Sequence, residues 1–486
     1  MRARYCLLAA VLGSVILLAP ACRQQPPGAP ELLAGSSRGI VGDSCRFTAV
    51  AVDAGGGPVA IQFDWGDGSL SDWSEYVASG DSVAMYHRWD SAATYHVGAR
   101  ARTEAGALSD WATSAIAIVA CPTWMKTYGY SNPDHGYSVE QTADGGFFVV
   151  GLGCPDPIGG VYLLRVDAWG QQLWSRVHGG SIANVGYSGL QLPDGGYVAA
   201  GMSGVDTLVG TQAILLRTDA TGETLWTRLY GGSDGEEARV VRQTADGGFI
   251  IAGYSGHVGA GRIDCYFVRT GASGDTLWTR VVGGVETDFC MALEPTADGG
   301  FIAAGYTNSF GAGDRDAYVV KFAANGDTAW TRTCGGSGGD EARSVQQTAD
   351  GGFIVAGWTT SYGAGASDVY LVKLDPAGNV LWEKTVGGSS YDACNSVRQT
   401  SDGGYILTGY TESFGAARMD LLLVKTDAVG DTLWVRVYGG RDLEGGEAVR
   451  QTADGGYVVV GSTASEGAGS YDVWLIKTDS LGKVNE

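Results

Sequence analysis

Two columns of acidic residues recur along the C-terminal three quarters of the chain and are the strongest candidates for chemistry. The first stands ten residues after each of seven evenly spaced tryptophans and comprises Asp134, Asn184, Glu236, Asp288, Asp340, Asp392 and Glu444. The second precedes a recurring apolar run and comprises Asp264, Asp316, Asp368, Asp420 and Asp472. Grouped carboxylates favour a hard cation such as calcium, or a basic partner. They can equally cap the amides of their own loops, so the columns predict either a ligand or cation face or a set of structural caps.

The other residue types give little support for catalysis. Five histidines share no spacing and form no H-E-x-x-H motif: His87, His96, His135, His178 and His257. The chain also has no Walker motif and no C-x-x-C pair, so it lacks the motifs of P-loop nucleotide-binding proteins and zinc sites. We therefore expect surface or turn histidines and name no catalytic residue.

Cysteines are present but show no metal-binding pattern. Cys45 and Cys121 flank the first folded segment, and an oxidising compartment would permit a disulfide between them. Cys290 and Cys394 occupy the same repeat position, so we predict that both are buried and unpaired.

The N-terminus is typical of a secretion signal. Two arginines, a short apolar run and a small-residue site before Cys22 predict a signal peptide over residues 1–21. The segment Leu17–Cys22 resembles a bacterial lipoprotein box, which implies Cys22 as a lipid anchor; the alternative is ordinary cleavage after Ala21. Residues 22–30 are rich in Pro and Gln and predict a linker.

Residues 31–120 alternate apolar and polar side chains in short runs separated by Gly and Asp, which predicts a β-sandwich. The runs are Arg46–Val52, Val59–Trp65 and Thr94–Ala101. Phe63–Ser69 and Thr94–Val97 resemble the PKD domain signature. That resemblance implies an Ig-like spacer or adhesion module. Asp64 and Asp67 within it are interpreted as turn residues that bind backbone amides rather than as a calcium site.

Residues 122–486 consist of seven repeats, which start near the tryptophans at 124, 174, 226, 278, 330, 382 and 434. Each repeat holds four strand-like runs and an Asp-Gly-Gly turn, a strong hairpin signal because the turn needs positive φ. Seven units of four antiparallel strands predict an all-β seven-bladed β-propeller. Trp124–Tyr128 has no preceding hairpin partner, so we predict that it completes the last blade. The tryptophans are expected to pack between blades.

The repeats resemble a bacterial β-propeller family common in exported proteins, over about three quarters of the chain. The hairpin Thr426–Trp434 also resembles the Asp-box of sialidases and the tryptophan docking motif of quinoprotein dehydrogenases. In both families that motif is a structural hairpin away from the active site. These resemblances therefore indicate blades and imply no reaction.

The strand before Asp-Gly-Gly carries two further columns and is expected to lie nearest the propeller axis. One varies between repeats and comprises Tyr137, Tyr187, Arg239, Met291, Arg343, Asn395 and Glu447. Variation on a constant frame suits a binding site, but it also suits an unconstrained surface. The other is a glutamine column, interrupted by Pro295, that predicts hydrogen bonds between blades. A recurrent glycine on the following strand, such as Gly357, predicts close backbone approach between neighbouring blades.

These features predict a non-enzymatic extracellular or cell-surface binding or scaffold protein. Its net charge of −21 disfavours nucleic acid as a partner. We expect a monomer that contacts the membrane only through the candidate anchor and binds a surface protein or a glycan, with no cofactor except calcium as a candidate. The alternative is a secreted or surface carbohydrate-active or quinoprotein-like propeller enzyme. A carboxylate pair or a His–carboxylate pair at the propeller mouth would favour that enzyme.

Overall fold

The computed structural model describes residues 26–34, 38–42, 44–119, 123–155, 158–179, 184–204, 210–232, 235–256, 258–415 and 418–484. Within these ranges all regular structure is β. The same ranges contain no helix with the length and apolarity needed to cross a membrane. The chain divides into two compact units, Met1–Ala120 and Cys121–Glu486. The signal peptide, Cys22 and Cys121 lie outside the described residues, so the lipid anchor and the Cys45–Cys121 disulfide stay predictions.

The N-terminal unit contains two sheets that share one apolar core. The first sheet has the order β1 (Glu31–Ala34), β3 (Cys45–Val50), β5 (Ser82–His87). The second has the order β2 (Arg38–Ile40), β7 (Ala112–Val119), β6 (Ala93–Thr103), β4 (Val59–Asp64). Phe47 from one sheet and Phe63 and Val97 from the other are buried in the same cluster, because alternate side chains of a strand face the same side.

Asp64 and Asp67 form turns, as predicted from the sequence. The Asp64 carboxylate accepts a hydrogen bond of 2.9 Å from the Gly66 amide. Asp67 accepts one of 2.9 Å from the Ser69 amide and lies 2.7 Å from His87 Nε2. These bonds fix the loop after β4 without requiring an ion.

The C-terminal unit contains seven four-stranded antiparallel sheets. The first four are β9 (His135–Gln141), β10 (Phe147–Gly153), β11 (Gly160–Val166), β12 (Gln172–His178); β13 (Asn184–Gln191), β14 (Tyr197–Gly204), β15 (Thr211–Thr218), β16 (Thr224–Tyr230); β17 (Glu236–Gln243), β18 (Phe249–Ser255), β19 (Asp264–Thr270), β20 (Thr276–Val282); and β21 (Asp288–Pro295), β22 (Phe301–Thr307), β23 (Asp316–Phe322), β24 (Thr328–Cys334). The last three are β25 (Asp340–Gln347), β26 (Phe353–Thr359), β27 (Asp368–Leu374), β28 (Val380–Val386); β29 (Asp392–Gln399), β30 (Tyr405–Thr411), β31 (Asp420–Thr426), β32 (Thr432–Tyr438); and β33 (Glu444–Gln451), β34 (Tyr457–Thr463), β35 (Asp472–Thr478), β8 (Trp124–Tyr128).

The predicted pairing of the first tryptophan strand with the last sheet is confirmed. Strand β8 pairs antiparallel with β35, from Val473 opposite Tyr128 to Lys477 opposite Trp124. The last sheet also contacts the first, because Arg450 on β33 pairs with Glu140 on β9. No β35 edge is therefore left open, which removes a template for aggregation.

Neighbouring sheets are joined by two repeated contacts, both expected from the sequence. Glutamines at the ends of the first strands accept hydrogen bonds of 2.8 to 3.0 Å from amides of the preceding sheet; the acceptors are Gln141, Gln191, Gln347, Gln399 and Gln451. Each tryptophan of the repeat packs against a positive-φ hairpin glycine of the next sheet, as Trp330 does against Gly378. A side chain at that glycine would overlap the indole ring, so the residue type is set by both φ and space.

A buried cation anchors each Asp-Gly-Gly hairpin. The third strand of every sheet sends an Arg or Lys to the hairpin aspartate, in the pairs Arg165–Asp144, Arg217–Asp194, Arg269–Asp246, Lys321–Asp298, Lys373–Asp350, Lys425–Asp402 and Lys477–Asp454. The aspartate also accepts from the glycine amide two residues on, as Asp298 does from Gly300 at 3.0 Å. One residue thus fixes both the turn and the cation beneath it.

The recurrent glycine on the second strand allows a close approach within its own sheet. A Cβ at Gly357 would overlap the carbonyl oxygen of Glu341 on the paired strand. The prediction that this glycine allows close approach between neighbouring blades was therefore wrong, since the close contact is with the paired strand of the same sheet. At this point the β25–β26 register shifts between Ala342 and Ser344, so the glycine sits opposite a β-bulge.

Candidate functional site

The two acidic columns lie at the starts of strands and are buried. The first column begins or directly precedes the first strand of each sheet, and the second begins the third strand of five sheets. All twelve side chains are at most 9% exposed. The carboxylates therefore lie beneath the loops rather than on an open face.

Loop amides bind these carboxylates, as the structural interpretation predicts. Asp134 accepts hydrogen bonds from the amides of Tyr130 and Cys154, at 2.5 and 2.7 Å. In the second column, Asp368 accepts from the amides of Ala364 and Gly365 at 3.0 and 3.1 Å. Each carboxylate thus holds the loop that leads into its strand.

The variable column forms a ring around one cavity. Tyr137, Tyr187, Arg239, Met291, Arg343, Asn395 and Glu447 line a volume of about 330 Å³, and we call them the variable ring. Each comes from the first strand of a different sheet and is half-buried. The seven residues of the variable column are thus gathered at one place.

Each member of the variable ring lies at a β-bulge, which sets the direction of its side chain. In β17 the pairing with β18 passes from Ala238 to Val240 and skips Arg239. The same register shift skips Met291, Arg343 and Asn395 on their strands. An unpaired bulge residue can point away from the pleat of its strand, and the opposing glycine gives it room. The recurrent glycine was the sequence signal for this site, although its role could not be read without the pairing register.

The variable ring combines two arginines with two neighbouring tyrosines whose rings are tilted by 58°. The guanidinium of Arg239 lies 4.2 Å from the ring centre of Tyr187, within cation–π range. The rings of Tyr137 and Tyr187 are 5.3 Å apart. Arg343 donates to Asn395 Oδ1 at 2.8 Å. The ring therefore offers flat aromatic surface beside planar cationic donors.

Glu447 is the one acidic member of the variable ring. Within the described residues it makes no hydrogen bond or ion pair. Burial raises the pKa of its carboxyl to about 7, although the charges of Arg343 and Arg239 act in the opposite direction. A carboxyl with this pKa is substantially protonated near neutral pH and can then donate a hydrogen bond.

A layer of arginines and glutamates contacts the variable ring, three positions further along the same strands. Arg242 donates to both oxygens of Glu294 at 2.8 and 2.7 Å. Arg398 lies 2.9 Å from the same glutamate, and Arg450 pairs with Glu140 at 2.6 Å. Three arginines thus share two glutamates, so the layer carries net positive charge. The sequence did not predict this layer, because its members are mixed in type and only the fold brings them together.

The excess of arginines over glutamates shifts the pKa values of the layer. Burial raises the pKa of Glu294, but the charges of Arg242 and Arg398 outweigh it and hold that pKa at about 2. Burial lowers the pKa of Arg398 to about 10, with the charge of Arg450 acting in the same direction. Positive charge in excess of its partners favours a negatively charged ligand.

The features that would favour catalysis are not gathered at the variable ring. Its lining contains no histidine and a single carboxylate. His135 stacks 6.1 Å behind Tyr137 and is 3.0 Å from Ser462 Oγ. Elsewhere in the described residues, no group of three or more His, Cys, Asp or Glu side chains is arranged to hold a metal. Cys290 and Cys394 are buried thiols, as predicted.

Comparison with known proteins gives similarities but no family. No protein-family model matches the chain, and no curated protein matches it. Among solved structures, the chain is similar to the PKD domain of an M14-like peptidase from Thermoplasmatales archaeon SCGC AB-540-F20, with 32% identity, 20% of this chain and 97% of that chain covered, and a TM-score of 0.19. Sqt1 from Chaetomium thermophilum is 11% identical, with 70% and 83% covered and a TM-score of 0.41. A DUF4784 family protein from Bacteroides caccae ATCC 43185 is 10% identical, with 84% and 95% covered and a TM-score of 0.26. The function must therefore be inferred from the site itself.

Proposed function

We propose that this protein is an exported, non-enzymatic binding protein whose variable ring holds its ligand. In this proposal the seven sheets are the blades of a β-propeller and the variable ring lies at the mouth of its axis. The observation that carries the proposal is the convergence of seven side chains of five types, each on a bulge of an otherwise uniform frame, on one cavity. Binding groups on a rigid frame need little ordering when the ligand arrives.

The chemistry of the ring favours a glycan that carries carboxylates. Arginine binds carboxylates through two parallel hydrogen bonds, and the ring presents Arg239 and Arg343. Tyr137 and Tyr187 supply the flat apolar faces against which a sugar ring can pack. The net positive layer beneath adds attraction for an anion, in a chain whose overall charge is −21.

A binding role fits the site better than the enzymatic alternative. Acid–base cleavage of a glycoside needs two carboxyl groups on either side of the bond, and the ring lining has only Glu447. The remaining glutamates nearby are engaged by arginines, as Glu341 is by Arg315 and Arg343. We therefore assign no catalytic residue.

A glycan array with the full chain tests this function. Acidic glycans should be retained and neutral glycans of equal length should not. Arg239→Ala combined with Arg343→Ala should lower affinity by about 100-fold, since each lost charged hydrogen-bond partner is worth about 1.5 kcal/mol or more. Arg280→Ala is the matched control, because Arg280 lies on the fourth strand β20 beside Asp327. Equal retention of neutral and acidic glycans, or an unaffected double variant, would reject the proposal.

Export and anchoring are a separate part of the proposal. The small-residue site before Cys22 supports lipidation, and Cys22→Ala should move the protein from the membrane fraction to the soluble fraction. A wild-type protein that already fractionates as soluble would exclude the anchor.

A further inference from the structure

Three consecutive junctions between neighbouring sheets each hold a pair of buried aspartates. The pairs are Asp264 with Asp288, Asp316 with Asp340, and Asp368 with Asp392. The first member begins the third strand of one sheet, and the second begins the first strand of the next. In each pair the amide of the second aspartate donates, at 2.8 to 2.9 Å, to the carbonyl of the residue before the first. The backbone therefore holds the two carboxylates side by side.

In the first and third pairs the two carboxylates lie around the same glycine. A Cβ at Gly283 would overlap Oδ1 of Asp264 and would lie 2.8 Å from Oδ2 of Asp288. Gly387 has the same relation to Asp368 and Asp392, the latter at 2.9 Å. Two ordinarily anionic groups thus approach each other in a place that water reaches poorly.

The protein supplies hydrogen-bond donors to only one oxygen of the second aspartate. Oδ2 of Asp288 accepts from the Gly284 amide at 2.7 Å and from Ser309 Oγ at 2.8 Å. Asp340 and Asp392 repeat this arrangement with a glycine amide at 2.8 Å and a serine hydroxyl at 2.6 Å. Oδ1 of all three is buried and has no partner among the described residues. Oδ1 of Asp264 is likewise buried and has no partner among the described residues.

Glu236 and Asp134, two other acidic members of the first column, are satisfied by the protein itself. Glu236 faces a third strand that begins at Thr211, without an aspartate, and its two oxygens accept from the Gly232 amide and Ser255 Oγ at 3.0 and 2.9 Å. Both oxygens of Asp134 accept from backbone amides. Asp134 also faces an aspartate, Asp472, since a Cβ at Gly129 would overlap an oxygen of each. The acidic members of this column that have an unsatisfied buried oxygen are Asp288, Asp340 and Asp392.

A buried carboxylate oxygen without a donor is costly, and a neighbouring carboxylate adds repulsion. A divalent cation between the two groups would remove both costs. We propose that each of the three aspartate pairs binds one calcium ion, which joins neighbouring sheets. Calcium suits these sites better than magnesium, because magnesium retains most of its water and the pairs are closed to solvent.

The loops around a pair can complete the oxygen shell. The carbonyl oxygens of Gly284 and Glu286 pack against Gly261, and the Gly261 amide donates to Asp264 Oδ2 at 3.0 Å. Backbone carbonyls are ordinary calcium ligands alongside carboxylates. The sites are separate from the variable ring, so their occupancy does not depend on the glycan-binding proposal.

Metal analysis of the full chain after dialysis against trace calcium tests this inference. The wild-type protein should retain one calcium per pair, and Asp288→Asn and Asp392→Asn should each remove one. Calcium should also raise the melting temperature, and the rise should shrink in each variant. Two variants at different junctions keep the test valid if one of them does not fold. Glu236→Gln is the matched control, since Glu236 faces no aspartate and the change should lower stability without altering the calcium count.

Two results would overturn the inference. The first is a wild-type protein that retains no calcium and whose melting temperature does not respond to it, with Asp288→Asn as stable as wild type; the aspartates would then share protons. The second is retained calcium that neither variant reduces, which would place the ion elsewhere. Glycan binding can succeed or fail independently of both.

Discussion

The aspartate of each Asp-Gly-Gly hairpin is held ionised by several donors at once. Hydrogen bonds from Lys321 and Thr296 lower the pKa of Asp298 to about 2, and those from Thr244 and Arg269 lower that of Asp246 to about 2. A carboxyl whose pKa is lower in the folded state stabilises the fold above its ordinary value near 3.8. That contribution disappears as pH falls through about 2.

Unfolding in urea should therefore become easier between pH 4 and pH 2. The midpoint of Asp298→Asn should fall less over this interval than that of wild type, because the variant has one linked proton fewer. Asp275→Asn, on an exposed hairpin, should behave as wild type. A midpoint that is flat over the interval would contradict this account of the hairpins.

Glu447 should make ligand binding depend on pH. Its surroundings are Arg239, Arg343 and Tyr137 in the ring and Tyr410 on β30. Below about 7 the carboxyl is mostly protonated, whereas above that pH it adds a negative charge beside the anionic ligand. Affinity for an acidic glycan should thus fall as pH rises from 6 to 8.

Calorimetric titration at several pH values measures this effect, and Glu447→Gln should remove most of it. A variant that keeps the full pH dependence would assign the titration to another group. Neutral analogues of the glycan should show little change over the same interval.

Within each sheet, the recurrent glycine of the second strand and the β-bulge opposite it depend on each other. The residue at position 357 must lack a Cβ because the Glu341 carbonyl occupies that space, and the register shift beside it aims Arg343 into the cavity. Gly357→Ala should destabilise the fold by about 2 kcal/mol, as overpacking commonly does. It should also weaken glycan binding by displacing Arg343.

The matched control for this substitution is Gly445→Ala, since a Cβ there would meet no atom within 4 Å. Chemical denaturation of both variants compares the two positions. Equal stability of Gly357→Ala and wild type would show that the bulge is not held by this close approach.

The pairing of β8 with β35 should be needed for a stable, monomeric protein. Deletion of residues 123–128 would leave Asp472–Thr478 paired with β34 alone and expose the edge that faces β8. Exposed strand edges promote association, so the deletion should give aggregates in size-exclusion chromatography and a lower melting temperature. A monomer with unchanged melting temperature would contradict the role of β8.

Across the whole molecule, the sequence predicted the features that recur in every repeat. It did not predict those that depend on how the strands pair. Evenly spaced tryptophans and Asp-Gly-Gly turns sufficed to predict the strands, the contacts of Trp330 and the partner of Trp124–Tyr128. The burial of the acidic columns was not predicted, because composition gives a residue type without its depth in the fold. The bulges were also missed, since a register shift is a relation between two strands.

The arrangement of the C-terminal unit separates a constant frame from a variable site. Hairpin ion pairs, glutamine bonds and tryptophan contacts repeat from sheet to sheet, while the bulge positions differ. A frame of this kind allows the ligand to be changed by substituting bulge residues without altering the core. We therefore expect the ligand to bind at the variable ring.

The position of the ligand can be determined directly from crystals of the full chain soaked with the acidic glycan that binds most strongly on the array. Density for the glycan should appear in the cavity of about 330 Å³, with its carboxylate beside Arg239 and Arg343 and a sugar ring against Tyr137 or Tyr187. Density on the Asp-Gly-Gly hairpins or on the N-terminal unit, with the cavity unchanged, would contradict it.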